Sequence, residues 1–113
     1  MELRFVYITA KDSDQARAIG RALVEERLAA CVNIIDGMNS LYWWQGVIQD
    51  DHETIVIAKT RAELMPKLID RVKSLHSYQV PCIVALPILS GNPDFLKWIE
   101  QETIGRVSFD EHP

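Results

Sequence analysis

The chain has little of what marks the specialised protein classes. It has no run of about 18 apolar residues, so no helical membrane span is expected. It has no surplus of positive charge. Twelve Lys and Arg stand against 16 Asp and Glu, giving a formal net charge of -4 and a pI of about 5.3. The basic residues are scattered among acidic neighbours, whereas nucleic-acid binders gather theirs into a patch or stripe, so no nucleic-acid partner is expected. Cysteine is scarce: only Cys31 and Cys82 occur, and neither forms a CxxC pair of the kind that marks zinc fingers or thioredoxin-like motifs. The N-terminal residues lack the long apolar centre and small-residue cleavage site of a signal peptide, so a cytoplasmic location with both thiols reduced is expected.

Catalytic signatures are missing as well. There is no GxGxxG or GxxxxGK[ST] phosphate loop, no HExxH and no GxSxG. A nucleophilic pair of Cys31 or Cys82 with His76 lacks any local signature. The chain is therefore expected not to be an enzyme.

What is present reads as one domain spanning residues 1–113, large enough to bury a core without a disulfide or structural metal. Leu3 to Thr9 has strand composition. Ala16, Ile19, Gly20, Leu23, Val24 and Leu28 form one helical stripe, which predicts a helix over 13–29 capped by Asp12 or Ser13. Cys31 to Ile35 predicts a short strand, Asp36-Gly37 a turn or bulge, and Ser40 to Trp44 renewed strand. The chain reverses at Gln45-Gly46 or at Gln49-Asp50-Asp51, and Glu53 to Thr60 is the next strand. Arg61 to Leu75 predicts the second helix, Val80 to Leu89 a strand, and Asn92-Pro93 the start of a short third helix. Arg106 to Phe109 is a candidate final strand.

This order predicts an α+β fold, a ferredoxin-like βαββαβ sandwich with helices on one face of an antiparallel sheet. Such a sheet should alternate apolar and polar residues, but these strands do not. Phe5 and Tyr7 oppose Val6 and Ile8, and Ile55 and Ile57 oppose Val56 and Ala58. Both faces therefore call for cover, and the chain has too few helices to supply it. Association with further copies is expected, driven by about 25 cal/mol per Å² of apolar surface removed from water.

Leu28-Ala29-Ala30-Cys31-Val32-Asn33-Ile34, then Gly37, Ser40, Tyr42-Trp43-Trp44, Gly46, Glu53, Ile57-Ala58-Lys59-Thr60, His76-Ser77-Tyr78, Pro81 and Trp98-Ile99 follow one another at characteristic spacing. This series resembles the CutA family of divalent-cation tolerance proteins. The resemblance implies a PII-like homotrimer that binds copper or another divalent metal ion and acts in metal tolerance. It also implies sulfur and imidazole ligands near the end of the first strand and after the second helix. Ile8 and Leu75 stand where some relatives offer cysteine and a second histidine, which leaves His76 of that set.

The candidate metal ligands are accordingly His76, Cys31 and Cys82. Thiolates suit copper(I), and imidazole suits copper and zinc. Each has a plainer reading. His76 can satisfy the end of a helix. Buried cysteine commonly behaves as a small hydrophobe. Tyr42, Trp43 and Trp44 serve either as a ligand platform or as intersubunit core. Glu53 and Lys59 share a strand face and serve either a charged ligand or a solvated rim. Two other functions stay open: a PII-like sensor of a small anion or nucleotide at intersubunit clefts, and a trimeric scaffold for partner proteins.

Overall fold

The computed structural model describes residues 2–103. The candidate strand at 106–109 and His112 lie outside the described residues. Within them the elements run β1 (Leu3–Ala10), α1 (Ser13–Glu25), β2 (Cys31–Trp44), β3 (Val47–Arg61), a 3-10 turn (Ala62–Leu64), α2 (Met65–Leu75), β4 (Ile83–Pro87) and α3 (Pro93–Gln101). The sheet order is β2-β3-β1-β4, with every neighbouring pair antiparallel. The α+β arrangement expected from the sequence is therefore present.

Helix α1 starts where Asp12 caps it, its carboxylate accepting the Gln15 N–H at 2.8 Å. Gln15 reaches back in turn to the N–H of Lys11 at 2.9 Å. The helix ends at Glu25, four residues short of the predicted end. Arg27 takes a left-handed conformation, with φ of 59°. This lets the Leu28 N–H bond the Leu23 carbonyl at 2.9 Å and the Arg27 N–H bond that of Val24 at 3.1 Å, a Schellman closure. Glycine usually occupies that position, and its absence hid the stop. Arg27 also donates to the Glu102 carboxylate at 3.1 Å, which ties this corner to the end of α3.

The hairpin is longer than predicted. Strand β2 runs unbroken from Cys31 to Trp44, because Asp36-Gly37 forms a bulge rather than a turn. Ile35 pairs with Ile55 and Met38 with Glu53, so β2 spends one residue more than β3. Gly37 supplies the left-handed φ of 79° that the bulge needs. The chain reverses at Gln45-Gly46, both with positive φ, as in a two-residue type I′ turn. Strand β3 therefore begins at Val47, not Glu53. The predicted second helix loses its first residues to β3 and the 3-10 turn, and Pro66 sits in the first turn of α2. Strand β4 is shorter than the predicted 80–89, although single backbone bonds extend its pairing with β1 at both ends, Thr9 to Cys82 and Ile88 to Leu3.

The core lies between one sheet face and the helices. Val6, Ile8, Ala10, Val56 and Ala58 point to it, with Ile19 and Leu23 of α1 and Leu68 and Val72 of α2 above them. The opposite sheet face carries Ile35, Val84 and Leu86, which are 48%, 52% and 57% exposed in the protomer. The distal hairpin projects beyond this body, and the protomer measures 55 × 27 × 22 Å.

Candidate functional site

The bulge decides which residues build the site. Before it, Cys31, Asn33 and Ile35 face the uncovered side of the sheet. After it, the extra residue shifts the alternation by one, so Met38, Tyr42 and Trp44 take that side. They join Tyr7 and Thr9 of β1 and Glu53 of β3 around a cavity of about 910 Å³. The segment after α2 closes the far wall with Tyr78, Gln79, Val80 and Cys82. Among the described residues, no Lys or Arg lines this cavity, and Glu53 is its one acidic side chain.

Glu53 is 7% exposed. The Tyr78 hydroxyl donates to its Oε2 at 3.0 Å. Burial, then this bond, then the Glu53 charge push the Tyr78 phenol far above its usual range. Tyr42 donates to Asp51 Oδ2 at 2.5 Å, and chiefly for that reason its phenol is pushed up to about 12. Tyr7 is raised by burial and then by the negative charges of Cys82 and Glu53. Its hydroxyl points to the Met38 sulfur at 3.3 Å. The cavity is thus aromatic in its walls and negative in its field.

His76 caps the end of α2. Its Nε2 lies 2.7 Å from the Thr9 carbonyl, which can only accept, so Nε2 carries the proton. Its Nδ1 accepts the Tyr78 N–H at 3.2 Å, and the two rings lie 4.6 Å apart. The imidazole therefore serves the backbone with both nitrogens and orients Tyr78 toward Glu53. Gln15 steadies the same segment through Ser77 at 2.9 Å.

Cys82 also adjoins Thr9, whose N–H donates to the Cys82 carbonyl at 3.3 Å. Burial and then Glu53 raise the Cys82 thiol, partly opposed by its hydrogen bond with the Thr9 side chain. The structure thus brings His76 and Cys82 to the same residue of β1. It does not bring Cys31 to them. Cys31 pairs with Lys59, which pairs with Phe5, four residues along β1 from Thr9. Cys31 lies on the other edge strand, roughly 13 Å away along the strands and roughly 14 Å across them. Its thiol is raised by burial, with Lys59 pulling the other way. Among the described residues, no group of three or more His, Cys, Asp or Glu is placed to hold a metal ion within one protomer.

Sequence reasoning singled out Tyr42, Trp44, Glu53, His76 and Cys82 but missed Tyr7, Thr9 and Met38 as cavity walls. The shared parity of Tyr7 and Thr9 on β1 was a usable signal; Met38 was hidden by the bulge. Lys59 is not at the cavity, and its ammonium donates to Asn33 at 2.6 Å.

Comparison with known proteins gives a consistent result. Residues 4–102 match the family model described as CutA1 divalent ion tolerance protein. The divalent-cation tolerance protein CutA of Thermus thermophilus is 52% identical over 98 residues, covering 87% of this chain and 95% of that one. The chloroplastic CutA 1 protein of Oryza sativa is 42% identical over 98 residues, covering 87% of this chain but only 55% of its own length. The solved structure of the Thermus thermophilus protein superposes with a TM-score of 0.88 at 50% identity, covering 89% of this chain and 98% of that one.

Proposed function

The chain belongs to the CutA1 family of divalent ion tolerance proteins, and from that premise we propose that it binds copper or another divalent metal ion and acts in metal tolerance. In this reading it is a cytoplasmic binding protein rather than an enzyme, and it works as a homotrimer. The observation that carries the metal reading is the convergence of an imidazole and a thiol on Thr9. The His76 imidazole meets the Thr9 carbonyl, and on Cys82 the backbone carbonyl accepts the Thr9 N–H while the thiol bonds the Thr9 side chain. Sulfur and imidazole form a donor pair suited to copper.

Binding there has a chemical cost that this geometry makes explicit. Cys82 must release its proton, so uptake strengthens as pH rises. His76 must give up the Tyr78 N–H to free Nδ1, or the Thr9 carbonyl to free Nε2. Two ligands leave a metal ion with open positions, which a neighbouring subunit or water fills. Cys31 is a separate candidate ligand on the other edge of the sheet.

The uncovered apolar sheet face supports the homotrimer, since Ile35, Val84 and Leu86 gain by being covered. The sensor of small anions has less support, because the cavity has no basic lining among the described residues and Lys59 is turned to Asn33.

Native mass spectrometry of the protein with one equivalent of copper or zinc per chain tests the proposal. The expected species is a trimer that retains metal and loses it in His76→Ala and Cys82→Ser. A trimer that stays metal-free, or binds equally well in both variants, overturns the site.

A further inference from the structure

The cavity has a second character that owes nothing to metal ligation. Aromatic side chains surround one buried carboxylate. Tyr7 and Tyr42 of the sheet and Tyr78 of the post-α2 segment bring ring surface to it, with Trp44 at the hairpin end. A carboxylate removed from water is costly unless it is compensated. Here Oε2 of Glu53 accepts from Tyr78. Among the described residues Oε1 accepts no hydrogen bond, yet it is not sealed from solvent, and Glu53 lines the cavity. Glu53 therefore brings to the aromatic space a carboxylate with one oxygen uncommitted to any described donor. The volume of about 910 Å³ lies within the range of small-molecule sites.

Aromatic faces attract cations through their negative quadrupole, most strongly where water is excluded. A hard divalent ion prefers a shell of oxygen ligands, which rings do not offer. A bulky, weakly hydrated organic cation suits this lining better, with its alkyl groups against the rings and its charge balanced by the carboxylate. Among the described residues, no Lys or Arg of the lining repels it.

We propose that the Tyr7–Tyr42–Tyr78 cavity with Glu53 at its base is a binding site for organic ammonium ions. Tyr78 is the positioning residue. It fixes Oε2 and leaves Oε1 for the ligand, and its own orientation is set by His76 through the bond from the Tyr78 N–H. Trp43 and Trp44 at the cavity give an intrinsic optical signal.

The experiment titrates the full-length protein with tetramethylammonium chloride and follows tryptophan fluorescence and heat. Sodium chloride at equal ionic strength is one control, and tert-butanol, of similar bulk but uncharged, is the other. The expected result is saturable binding of tetramethylammonium, at least tenfold tighter than tert-butanol, with no response to sodium chloride. Glu53→Gln is expected to weaken it tenfold or more. Tyr42→Leu, at a more exposed position, is expected to weaken it at least threefold, and it carries the test if Glu53→Gln does not fold. Absence of saturation overturns the proposal, as does equal affinity for tert-butanol or binding that survives these substitutions. Both variants retain Cys82 and His76, so copper titration of the same samples separates failure of this proposal from failure of the metal reading.

Discussion

Tyr78, in the segment after α2, donates its hydroxyl to Glu53 of β3 at 3.0 Å. The bond joins the end of a helix to the middle of the long hairpin and holds a phenol in its neutral form. The same holds for the other two tyrosines of the chain. Tyr42 is pushed up to about 12 and Tyr7 is also raised. The unfolded chain releases each of these protons near pH 10. A raised folded-state pKa contributes stability that is complete below about pH 10 and lost as pH rises through the folded values. The expected alkaline titration at 295 nm shows no phenol with an ordinary pKa in the folded protein, and unfolding sets in above about pH 10. A tyrosine ionising near 10 with the circular dichroism unchanged would refute the described hydroxyl partners.

Gly37→Val tests the bulge. The substitution places a β-branched residue at φ of 79°, at a cost of about 1–3 kcal/mol. The expected outcome is lower stability in urea together with a shifted tryptophan emission. Unchanged emission would show that Tyr42 and Trp44 do not depend on the bulge for their facing.

Val84→Lys combined with Leu86→Glu tests the uncovered sheet face. Both positions are exposed in the protomer, so the intrinsic fold should survive with little change in helical circular dichroism. Sedimentation should then report a monomer where the unmodified chain is expected to run as the proposed trimer. Persistence of the trimer would place its contacts elsewhere.

Leu68→Ala tests the core beneath α2. Leu68 is fully buried among residues of the main cluster, and loss of its side chain costs about 2–5 kcal/mol. Chemical denaturation reads the change directly, and a cost below about 1 kcal/mol would mean that α2 is less firmly docked than its burial indicates.

The element order was legible because short runs rich in β-branched and aromatic residues, apolar on both faces, alternate along this chain with stripes of 3.6-residue period. A cap at Asp12 or Ser13, which the structure places at Asp12, and the Asn92-Pro93 start were legible from local chemistry, and the structure has Asn92 accepting the Asp94 N–H at 3.1 Å. What failed depended on backbone conformations that the residue types conceal. Arg27 ends α1 in a conformation usually given to glycine, and its guanidinium is held by a residue 75 positions away. Asp36-Gly37 reads as a turn or a bulge, and only pairing with β3 decides for the bulge. The convergence of His76 and Cys82 on Thr9 was out of reach for the same reason. It depends on how β4 registers against β1, which the spacing of the three residues does not specify.

The extra residue at Gly37 makes the distal hairpin a matter of parity. Inserting or deleting one residue between the bulge and the Gln45-Gly46 turn, on one strand, exchanges inside for outside for every side chain beyond it. A matched change of two residues on each strand keeps both the pairing and the facing and merely lengthens or shortens the arm. The length of this arm is therefore free to drift in steps of two residues per strand, whereas a step of one erases the cavity without replacing any residue that lines it.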